Sequence, residues 1–271
     1  MAEFALELRN ISVRFAAAQG DAPGYLAVAD SSLAVREGEF VSVVGPTGCG
    51  KSTLLNVGAG LLAASGGQVR VFGQELLGIN TRAGYMFQSD ALLPWRSAID
   101  NVMLGLQYRG IAPEQARAQA QAWLDRVGLG EFGDRYPHQL SGGMRKRAAL
   151  AQTLVLDPDI ILMDEPFGAL DVQTRQLMEN ELLGLWAAKR KAVLFITHDL
   201  DEAIAMSDRV VVLSAGPATR PIGEFEIDLP RPRDVAEIRS QRHFVELYTR
   251  IWNVLRDEVL KGYAQQLRKA A

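Results

Sequence analysis

Short apolar segments recur along the 271-residue chain and predict the strands of a largely parallel sheet. Residues 40–44, 160–163 and 192–197 are almost uninterrupted apolar runs, which is typical of strands buried on both faces. Residues 68–72 and 83–87 predict two further strands. Residues 5–15 and 26–35 alternate between apolar and polar side chains, and this pattern predicts antiparallel strands. The strands and the helical segments between them predict an α/β fold.

Three segments have a helical period. Residues 113–127 carry apolar side chains three and four positions apart, and residues 142–156 predict a second helix that ends near Pro158. Segment 89–155 is therefore predicted to be a helical insert. Residues 236–269 predict an amphipathic helix that covers the body. Its apolar positions are Phe244, Leu247, Tyr248, Ile251, Trp252, Leu255 and Val259.

One domain is expected to span residues 1–271, because a chain of this length can enclose a single large core. Residues 4–40 are predicted to form an antiparallel section, and residues 41–88 and 156–230 a mostly parallel core. Residues 89–155 are the helical insert and residues 231–271 a C-terminal helical extension. Residues 16–24 are expected to be a loop inserted between the first two strands.

Charge and hydropathy argue against several classes of protein. A net charge of −3 does not suggest a nucleic-acid-binding surface. No apolar run approaches the ~18–20 residues that span a membrane, and residues 1–5 lack the features of a signal peptide. A cytosolic protein is expected, and any pore that it serves must be another chain. With three His and one Cys, neither a zinc site nor an internal disulfide is expected.

A glycine-rich segment after the strand at 40–44 predicts a phosphate-binding loop. It fits the pattern G-x-x-x-x-G-K-S/T, between a strand pattern and a helix pattern. Backbone N–H groups and the helix N-terminus would bind the phosphates, Lys51 would reach the β- and γ-phosphates, and Ser52 would bind Mg²⁺. A thiol reagent at Cys49 is expected to block ATP binding. The expected nucleotide-binding residues are Gly45, Pro46, Thr47, Gly48, Cys49, Gly50, Lys51, Ser52 and Thr53.

Two carboxylates and a histidine follow other strands of the predicted core. Asp164 and Glu165 end the run at 160–163, and His198 follows the run at 192–197. Ligands collect at the carboxyl ends of parallel strands. Asp164 is therefore expected to hold Mg²⁺, Glu165 to polarise the attacking water, and His198 to contact the γ-phosphate or that water. The alternative for the two carboxylates is a helix N-cap with a first-turn acid. His138 and His243 lack this context and are expected to be structural or solvated.

A series of short motifs makes the chain resemble the ATP-binding-cassette ATPases. The phosphate loop is followed by Met86-Phe87-Gln88, Leu140-Ser141-Gly142-Gly143-Met144, the strand that ends in Asp164-Glu165, Gly168-Ala169-Leu170-Asp171 and Ile196-Thr197-His198-Asp199. These motifs lie within about residues 40–200, and the resemblance extends over nearly the whole chain. It implies a P-loop NTPase fold, with a RecA-like core at 41–88 and 156–230.

The resemblance also implies roles for individual residues. Gln88 matches the glutamine that contacts Mg²⁺ and water and senses a membrane subunit. Ser141, Gly142 and Gly143 match the signature that binds the γ-phosphate of ATP held by a second copy, and Asp171 matches the aspartate that links the two sites. The N-cap preference of Ser141 agrees with this role, since a helix N-terminus attracts an anion. The catalytic set so implied is Lys51, Gln88, Glu165 and His198.

An aromatic side chain upstream of the phosphate loop stacks on adenine in this family. Phe15 is the best match by position. Tyr25 is the alternative, because residues 16–24 resemble an insertion. Either ring could instead pack only within the N-terminal sheet.

Three features resemble the ATPase subunits of nitrate, sulfonate and taurine importers. They are Met144, at a signature position where Gln is common, the segment Leu92-Leu93-Pro94-Trp95, and residues 228–233. The resemblance implies an ATP hydrolase, peripheral on the cytoplasmic face of a membrane, that powers uptake of a small anion. Its expected partners are a second ATP-binding subunit, permease subunits and, indirectly, a solute-binding protein. Residues 92–95 are expected to line a groove beside Gln88 for a permease helix.

Other functions remain open from the sequence. A cassette ATPase that acts on DNA or ribosomes tends to carry coiled-coil insertions, paired cassettes or basic linkers, and the sequence has none of these. A small-molecule P-loop kinase would need an acceptor pocket but not the motif at 141–143. An adaptor that binds ATP without turnover commonly lacks a counterpart of Glu165 or His198.

Overall fold

The computed structural model describes residues 4–16, 24–168 and 170–270, with side chains at all of these positions except 266 and 268–270. Residues 1–3, residues 17–23 of the expected loop and Ala169 lie outside this part of the chain. Within it, the strands are β1 (Phe4–Phe15), β2 (Tyr25–Arg36), β3 (Phe40–Val44), β4 (Gly66–Val71), β5 (Gln74–Glu75), β6 (Ala83–Met86), β7 (Ile160–Asp164), β8 (Ala192–Ile196), β9 (Arg209–Leu213) and β10 (Pro221–Glu226). The helices are α1 (Lys51–Gly58), α2 (Ala98–Tyr108), α3 (Pro113–Arg126), α4 (Gly142–Leu154), α5 (Val172–Lys189), α6 (Leu200–Met206), α7 (Val235–Ile238) and α8 (Arg242–Ala270).

The smaller sheet is antiparallel, in the order β2-β1-β4-β5. The predicted strands at 5–15 and 26–35 are its β1 and β2. The assignment of residues 66–75 to the core segment 41–88 was wrong, because β4 and β5 extend this sheet. In β4 only Val71 is fully buried, and a strand covered so incompletely suits an antiparallel sheet better than a central parallel one.

The larger sheet has the order β10-β9-β3-β8-β7-β6, and all its pairs are parallel except β10 with β9. Successive side chains of its strands enter different hydrophobic clusters, as the twofold period of a strand requires. In β8, Leu194 packs with α1 and the antiparallel sheet, whereas Phe195 packs with α5, α6 and α8. Both faces are therefore covered, and the predicted α/β fold is confirmed.

The helical insert contains α2, α3 and α4, with short 3₁₀ turns at Gly130–Phe132 and Pro137–Gln139. Its own cluster includes Val102 and Leu106 of α2 and Leu124 of α3. The sequence predicted α3 and α4 but not α2. The signal was present, because Ser97 caps α2 by accepting the N–H of Asp100 and apolar residues follow at helical spacing.

The C-terminal extension forms two helices, α7 and α8, where one amphipathic helix was predicted. Asp234 caps α7 through the N–H groups of Ala236 and Glu237, and α8 begins only at Arg242. Phe244, Leu247, Ile251 and Leu255 are buried against the body as predicted. Within the described ranges, no helix combines the length and apolar character needed to cross a membrane.

The far end of α8 lies against the phosphate loop. A β-carbon at Gly262 would come within 3.1 Å of Pro46 Cβ. Between α8 and the loop lies a cavity of about 540 Å³, lined by Gly45, Thr47, His198 and, from α8, Tyr248 and Trp252 among others. The last helix therefore forms one wall beside the predicted nucleotide site.

Candidate functional site

Strand order brings the predicted functional segments to one edge of the larger sheet. β3, β8 and β7 are parallel neighbours, so their carboxyl ends meet. The phosphate loop follows β3, Glu165 follows β7, and Thr197-His198 follows β8. Gln88 enters the same edge two residues after β6, the neighbour of β7.

The phosphate loop is built around glycine conformations and a buried lysine. Gly48 and Gly50 have φ values of 74° and 111°, which are unfavourable for L side chains. The Lys51 ammonium donates to the carbonyl oxygens of Gly45 at 2.9 Å and Pro46 at 3.2 Å. It is 5 % exposed, so the loop wraps a positive charge at the start of α1.

Cys49 of the phosphate loop has a buried thiol. Its side chain is buried in the cluster beneath the antiparallel sheet. Burial raises the pKa of the thiol, which opposes thiolate formation. The Thr219 hydroxyl donates to the Cys49 carbonyl oxygen and supports the loop from behind. Reaction of Cys49 with a thiol reagent should therefore be slow, and the expected loss of ATP binding after modification stays a prediction.

Ser52 and Asp164 form a hydroxyl–carboxyl pair, with Ser52 Oγ 3.0 Å from Asp164 Oδ1. Burial raises the pKa of Asp164, opposed by the hydrogen bond from Ser52 and reinforced by the charge of Glu165. Mg²⁺ prefers hard oxygen ligands and takes one or two from a protein beside substrate phosphates. This donor pair, next to the phosphate loop, fits that requirement.

Glu165 is the point where the predicted catalytic side chains meet. Its Oε2 accepts from Gln88 Nε2 at 3.1 Å and lies 3.2 Å from His198 Nδ1. Its Oε1 lies 4.0 Å from Lys51 Nζ. One carboxyl group thus contacts residues from three separate loops. This arrangement suits a base that is held in orientation by its neighbours.

The predicted signature opens α4. Ser141 is the N-cap, and its Oγ accepts the N–H of Met144 at 3.2 Å. The first N–H groups of a helix have no acceptor within the helix, so those of Gly142 and Gly143 suit an anion. A β-carbon at Gly143 would lie 2.9 Å from Thr174 Cγ2 of α5. Met144 packs on the cluster of the helical insert, which gives this unusual residue a packing role.

Asp171 lies at the start of α5. It is the N-cap, and its Oδ1 accepts the N–H of Thr174 at 3.0 Å. This hydrogen bonding lowers the pKa of the exposed Asp171 carboxyl. Because Gly143 approaches Thr174, the predicted signature and the predicted interface aspartate are neighbours on one surface.

The two candidates for adenine stacking are neighbours on the adjacent strands β1 and β2. Phe15 pairs with Tyr25, and the rings are 42 % and 45 % exposed. A β-carbon at Gly216 would lie 3.5 Å from both the Tyr25 hydroxyl and Cys49 Cα. Tyr25 therefore reaches towards the phosphate loop, and Phe15 stays a prediction beside it.

A cavity near Gln88 is lined by residues other than those predicted for the permease groove. A cavity of about 290 Å³ lies between β6, α2 and α4, and none of residues 92–95 lines it. Its walls include Phe87, Ala91 and Tyr108. Leu92 packs against the hydrophobic clusters of the core and of the helical insert. Trp95 is 71 % exposed and lies outside this cavity. Helix α2, which the sequence analysis did not predict, supplies one wall of this cavity, and the groove expected at residues 92–95 stays a prediction.

Three charged residues missed by the sequence analysis join the signature helix to Gln88. Lys146 Nζ donates to the Gln88 carbonyl oxygen at 2.6 Å and lies 3.5 Å from Asp90. Arg145 Nε donates to the other oxygen of Asp90 at 2.7 Å. Burial lowers the pKa of Lys146, and Asp90 opposes that change. The available signal was a run of three cations, Arg145 to Arg147, close to the N-terminus of α4, where a helix disfavours positive charge.

Comparison with known proteins gives close relatives. A family model described as ABC transporter matches residues 28–168. A Methanocaldococcus jannaschii protein described as an uncharacterized ABC transporter ATP-binding protein is 48% identical over 232 residues, 85% of each chain. The taurine import ATP-binding protein TauB of Rhizobium johnstonii is 40% identical over 270 residues, covering 98% of this chain and 100% of that one. The nitrate import ATP-binding protein NrtC of Synechococcus elongatus is 39% identical over 88% of this chain and 37% of its own length.

The fold of this chain is similar to that of solved ATP-binding cassettes. A dimeric ATP-binding cassette in a post-hydrolysis state with ADP and Pi has a TM-score of 0.73 and 30% identity. The match covers 83% of this chain and all of that cassette.

Proposed function

This chain belongs to the ABC transporter family, as the ATP-binding and ATP-hydrolysing subunit of an importer, and from that premise we propose how its residues carry out the hydrolysis. Two copies bind ATP in shared sites, and Glu165 is the general base of each site. The observation that carries the proposal is the meeting of Gln88, Lys51 and His198 at the Glu165 carboxyl group, next to Ser52 and Asp164.

The proposed chemistry relies on positioning and charge. The loop N–H groups and Lys51 bind the phosphates, and Lys51 exchanges its carbonyl acceptors for phosphate oxygens. Glu165 accepts the proton of the attacking water, while Gln88 and His198 hold the carboxylate in place. Mg²⁺, held by Ser52 and Asp164, would neutralise phosphate charge. Phosphoryl transfer needs little more from a protein.

The second copy completes each site. Ser141, Gly142 and Gly143 of one copy would present helix N–H groups to the γ-phosphate bound by the other. The exposure of Ser141 at the N-terminus of α4 supports this arrangement, and so does the dimeric state of the matching cassette. ATP would then favour the closed dimer because it binds that state more tightly.

The remaining partners are proposed from the relatives. Two of the relatives are named for taurine, which carries a sulfonate group, and for nitrate, so we propose a small solute with an anionic group, most simply a small anion. The permease would be separate, and the subunit would be peripheral on the cytoplasmic face of the membrane. The cavity bounded by Phe87, Ala91 and Tyr108 is the proposed contact for a permease helix.

Glu165→Gln tests the assignment of the general base. The variant should bind ATP but lose about 10²–10⁴-fold in turnover, the usual contribution of a general base. Light scattering should then find a dimer with ATP and Mg²⁺ and a monomer with ADP.

Glu114→Gln is the matched control, because Glu114 is exposed on α3 in the helical insert. It should hydrolyse ATP like the wild type. Normal turnover in Glu165→Gln would exclude Glu165 as the base. Phosphate release from ATP without any added acceptor separates this function from that of a kinase.

A further inference from the structure

One arginine contacts two loops of the site at once. Arg175, four residues after Asp171, donates from Nη2 to the Leu170 carbonyl oxygen at 3.1 Å. Its Nη1 donates to Asp199 Oδ2, also at 3.1 Å. Leu170 immediately precedes Asp171, and Asp199 immediately follows His198. The guanidinium therefore bridges the predicted interface loop and the histidine loop.

The bridge continues to the base. The Asp199 N–H donates to Thr197 Oγ1 at 3.0 Å, which ties together the two residues that flank His198. His198 Nδ1 in turn lies 3.2 Å from Glu165 Oε2. Leu170 is thus linked to Glu165 by three contacts. Arg175 binds the Leu170 carbonyl and Asp199, and His198, the neighbour of Asp199 in the chain, contacts Glu165.

A buried ionisable cluster lies behind Arg175. Glu179 of α5 is 0% exposed and Glu202 of α6 is 4% exposed. The Thr197 hydroxyl donates to the Glu202 carboxylate, and Arg239 Nη2 lies 3.4 Å from Glu179 Oε2. Thr197 thus connects this cluster to the histidine loop, and the charge of Arg175 acts on both buried glutamates.

Some polar atoms of this cluster lack a hydrogen-bond partner within the part of the chain that the structure describes. Among the described residues, Nε of Arg175 and one carboxyl oxygen of each buried glutamate have no hydrogen-bond partner. Buried polar groups in a purely structural cluster are nearly always paired. Arg175 Nε is therefore a donor that could bind an acceptor if the guanidinium moved.

We propose that Arg175 is a positioning residue that transmits closure of the dimer from Asp171 to His198 and Glu165. The proposal rests on the shared site proposed above. Contact of the second copy with Asp171 moves the Leu170 carbonyl, and the guanidinium carries this movement to Asp199. A planar fork can hold both acceptors in fixed geometry, whereas a lysine ammonium at the same place acts as a single flexible charge.

The test compares Arg175→Met and Arg175→Lys in two backgrounds. With Glu165 intact, both variants should bind ATP like the wild type but lose about 10²-fold in kcat, the effect of misplacing a catalytic group by about 1 Å. In the Glu165→Gln background, ATP should still produce the dimer. Binding, closure and chemistry are thus measured separately.

The double variant Arg175→Met/Asp199→Asn, compared with the two single variants, tests whether the two residues act through each other. Asn still caps a helix, so α6 should keep its start. If the two residues act as a unit, the double variant should lose no more kcat than either single variant. Lys189→Met is the matched control, since it removes an exposed ion pair with Asp157 at the other end of α5, and its kcat should equal that of the wild type.

Three outcomes would overturn the proposal: an unchanged kcat in Arg175→Met, full recovery in Arg175→Lys, or parallel loss of ATP binding, dimer and kcat. The last would assign Arg175 to the stability of α5. Failure of the shared site itself is distinguishable, because Glu165→Gln with Arg175 intact would then form no dimer with ATP.

Discussion

At the scale of the residue, Glu165 combines an unusual backbone with a well-held side chain. Its φ of 44° lies in the left-handed region, a conformation that costs roughly 1–3 kcal/mol outside glycine. Its N–H donates to the Ile196 carbonyl oxygen at 2.9 Å, which fixes the turn after β7. The strained turn aims the carboxyl group at Gln88 and His198 rather than along the strand.

Glu179 and Glu202 make stability depend on pH. Burial raises the pKa of both carboxyl groups above the ordinary value of 4.5, and in Glu202 the neighbouring charges of Glu179 and Asp199 add to it. Arg175, Arg239 and the Thr197 hydroxyl also face them and oppose the rise in pKa. The folded state thus keeps protons that the unfolded chain releases above pH 4.5.

We therefore expect the free energy of unfolding to fall as the pH rises above 4.5 and to stop falling once the raised folded-state pKa is passed. A tenfold difference in proton affinity between the folded and the unfolded chain is worth about 1.4 kcal/mol. Glu202→Gln should flatten this slope in urea unfolding between acidic and mildly alkaline pH. Glu246→Gln should not, because Glu246 is exposed and its pKa is lowered by Arg242. An equal slope in wild type and Glu202→Gln would contradict the assignment.

At the scale of the element, the helical insert forms part of the cavity that we propose as the contact for a permease helix. α2 and α4 form the walls of the cavity beside β6, and the Tyr108 side chain stands at the end of α2 with 86 % exposure. Lys146 fixes α4 to the carbonyl of Gln88. An object pressed into this cavity would therefore act on Gln88 and on the signature helix together.

Tyr108→Ala tests this contact. Basal ATP hydrolysis should stay within about twofold of the wild type, because Tyr108 makes none of the contacts that hold Glu165, while transport in reconstituted vesicles should fall. Trp95→Ala is the comparison, since Trp95 is also exposed but lies outside the cavity, and it should transport normally. Normal transport in Tyr108→Ala together with reduced transport in Trp95→Ala would favour the groove predicted at residues 92–95 instead.

Patterns within one element were readable from the sequence, and contacts between elements were not. β3, β7 and β8 were predicted because their apolar runs are buried on both faces. The burial of Cys49 and the Lys146–Gln88 bond depend on partners far along the chain. Gln88, Lys51 and His198 could be predicted as site residues because each lies in a recognisable motif. Their distances from Glu165 depend on the order of the strands, which no local sequence pattern contains.

At the scale of the whole molecule, Ser141 and Asp171 lie on the surface that we propose a second copy completes. Both residues are exposed helix N-caps, and their helices approach each other where Gly143 lies close to Thr174. Two copies related by a twofold axis would bury the surface twice, as an isologous interface requires. Closure would then remove both phosphate sites from water in one step.

Ser141→Arg should prevent this closure. The bulk and charge of arginine would obstruct the interface, so ATPase activity and ATP-driven dimer formation should both be lost while each subunit still binds ATP. Ser141→Ala separates loss of the cap, about 1 kcal/mol, from obstruction, and it should retain the dimer. Unchanged ATPase activity in Ser141→Arg would contradict the shared site.

The position of α8 beside the phosphate loop gives the molecule an optical reporter of its own. Of its four tryptophans, Trp252 shares a cavity wall with Tyr248 opposite Gly45 and Thr47. Trp186 is buried, hydrogen-bonded to Lys191 and stacked with two arginines. Emission from Trp252 should respond to nucleotide while that of Trp186 stays constant, so filling of the site can be followed in real time without an attached dye.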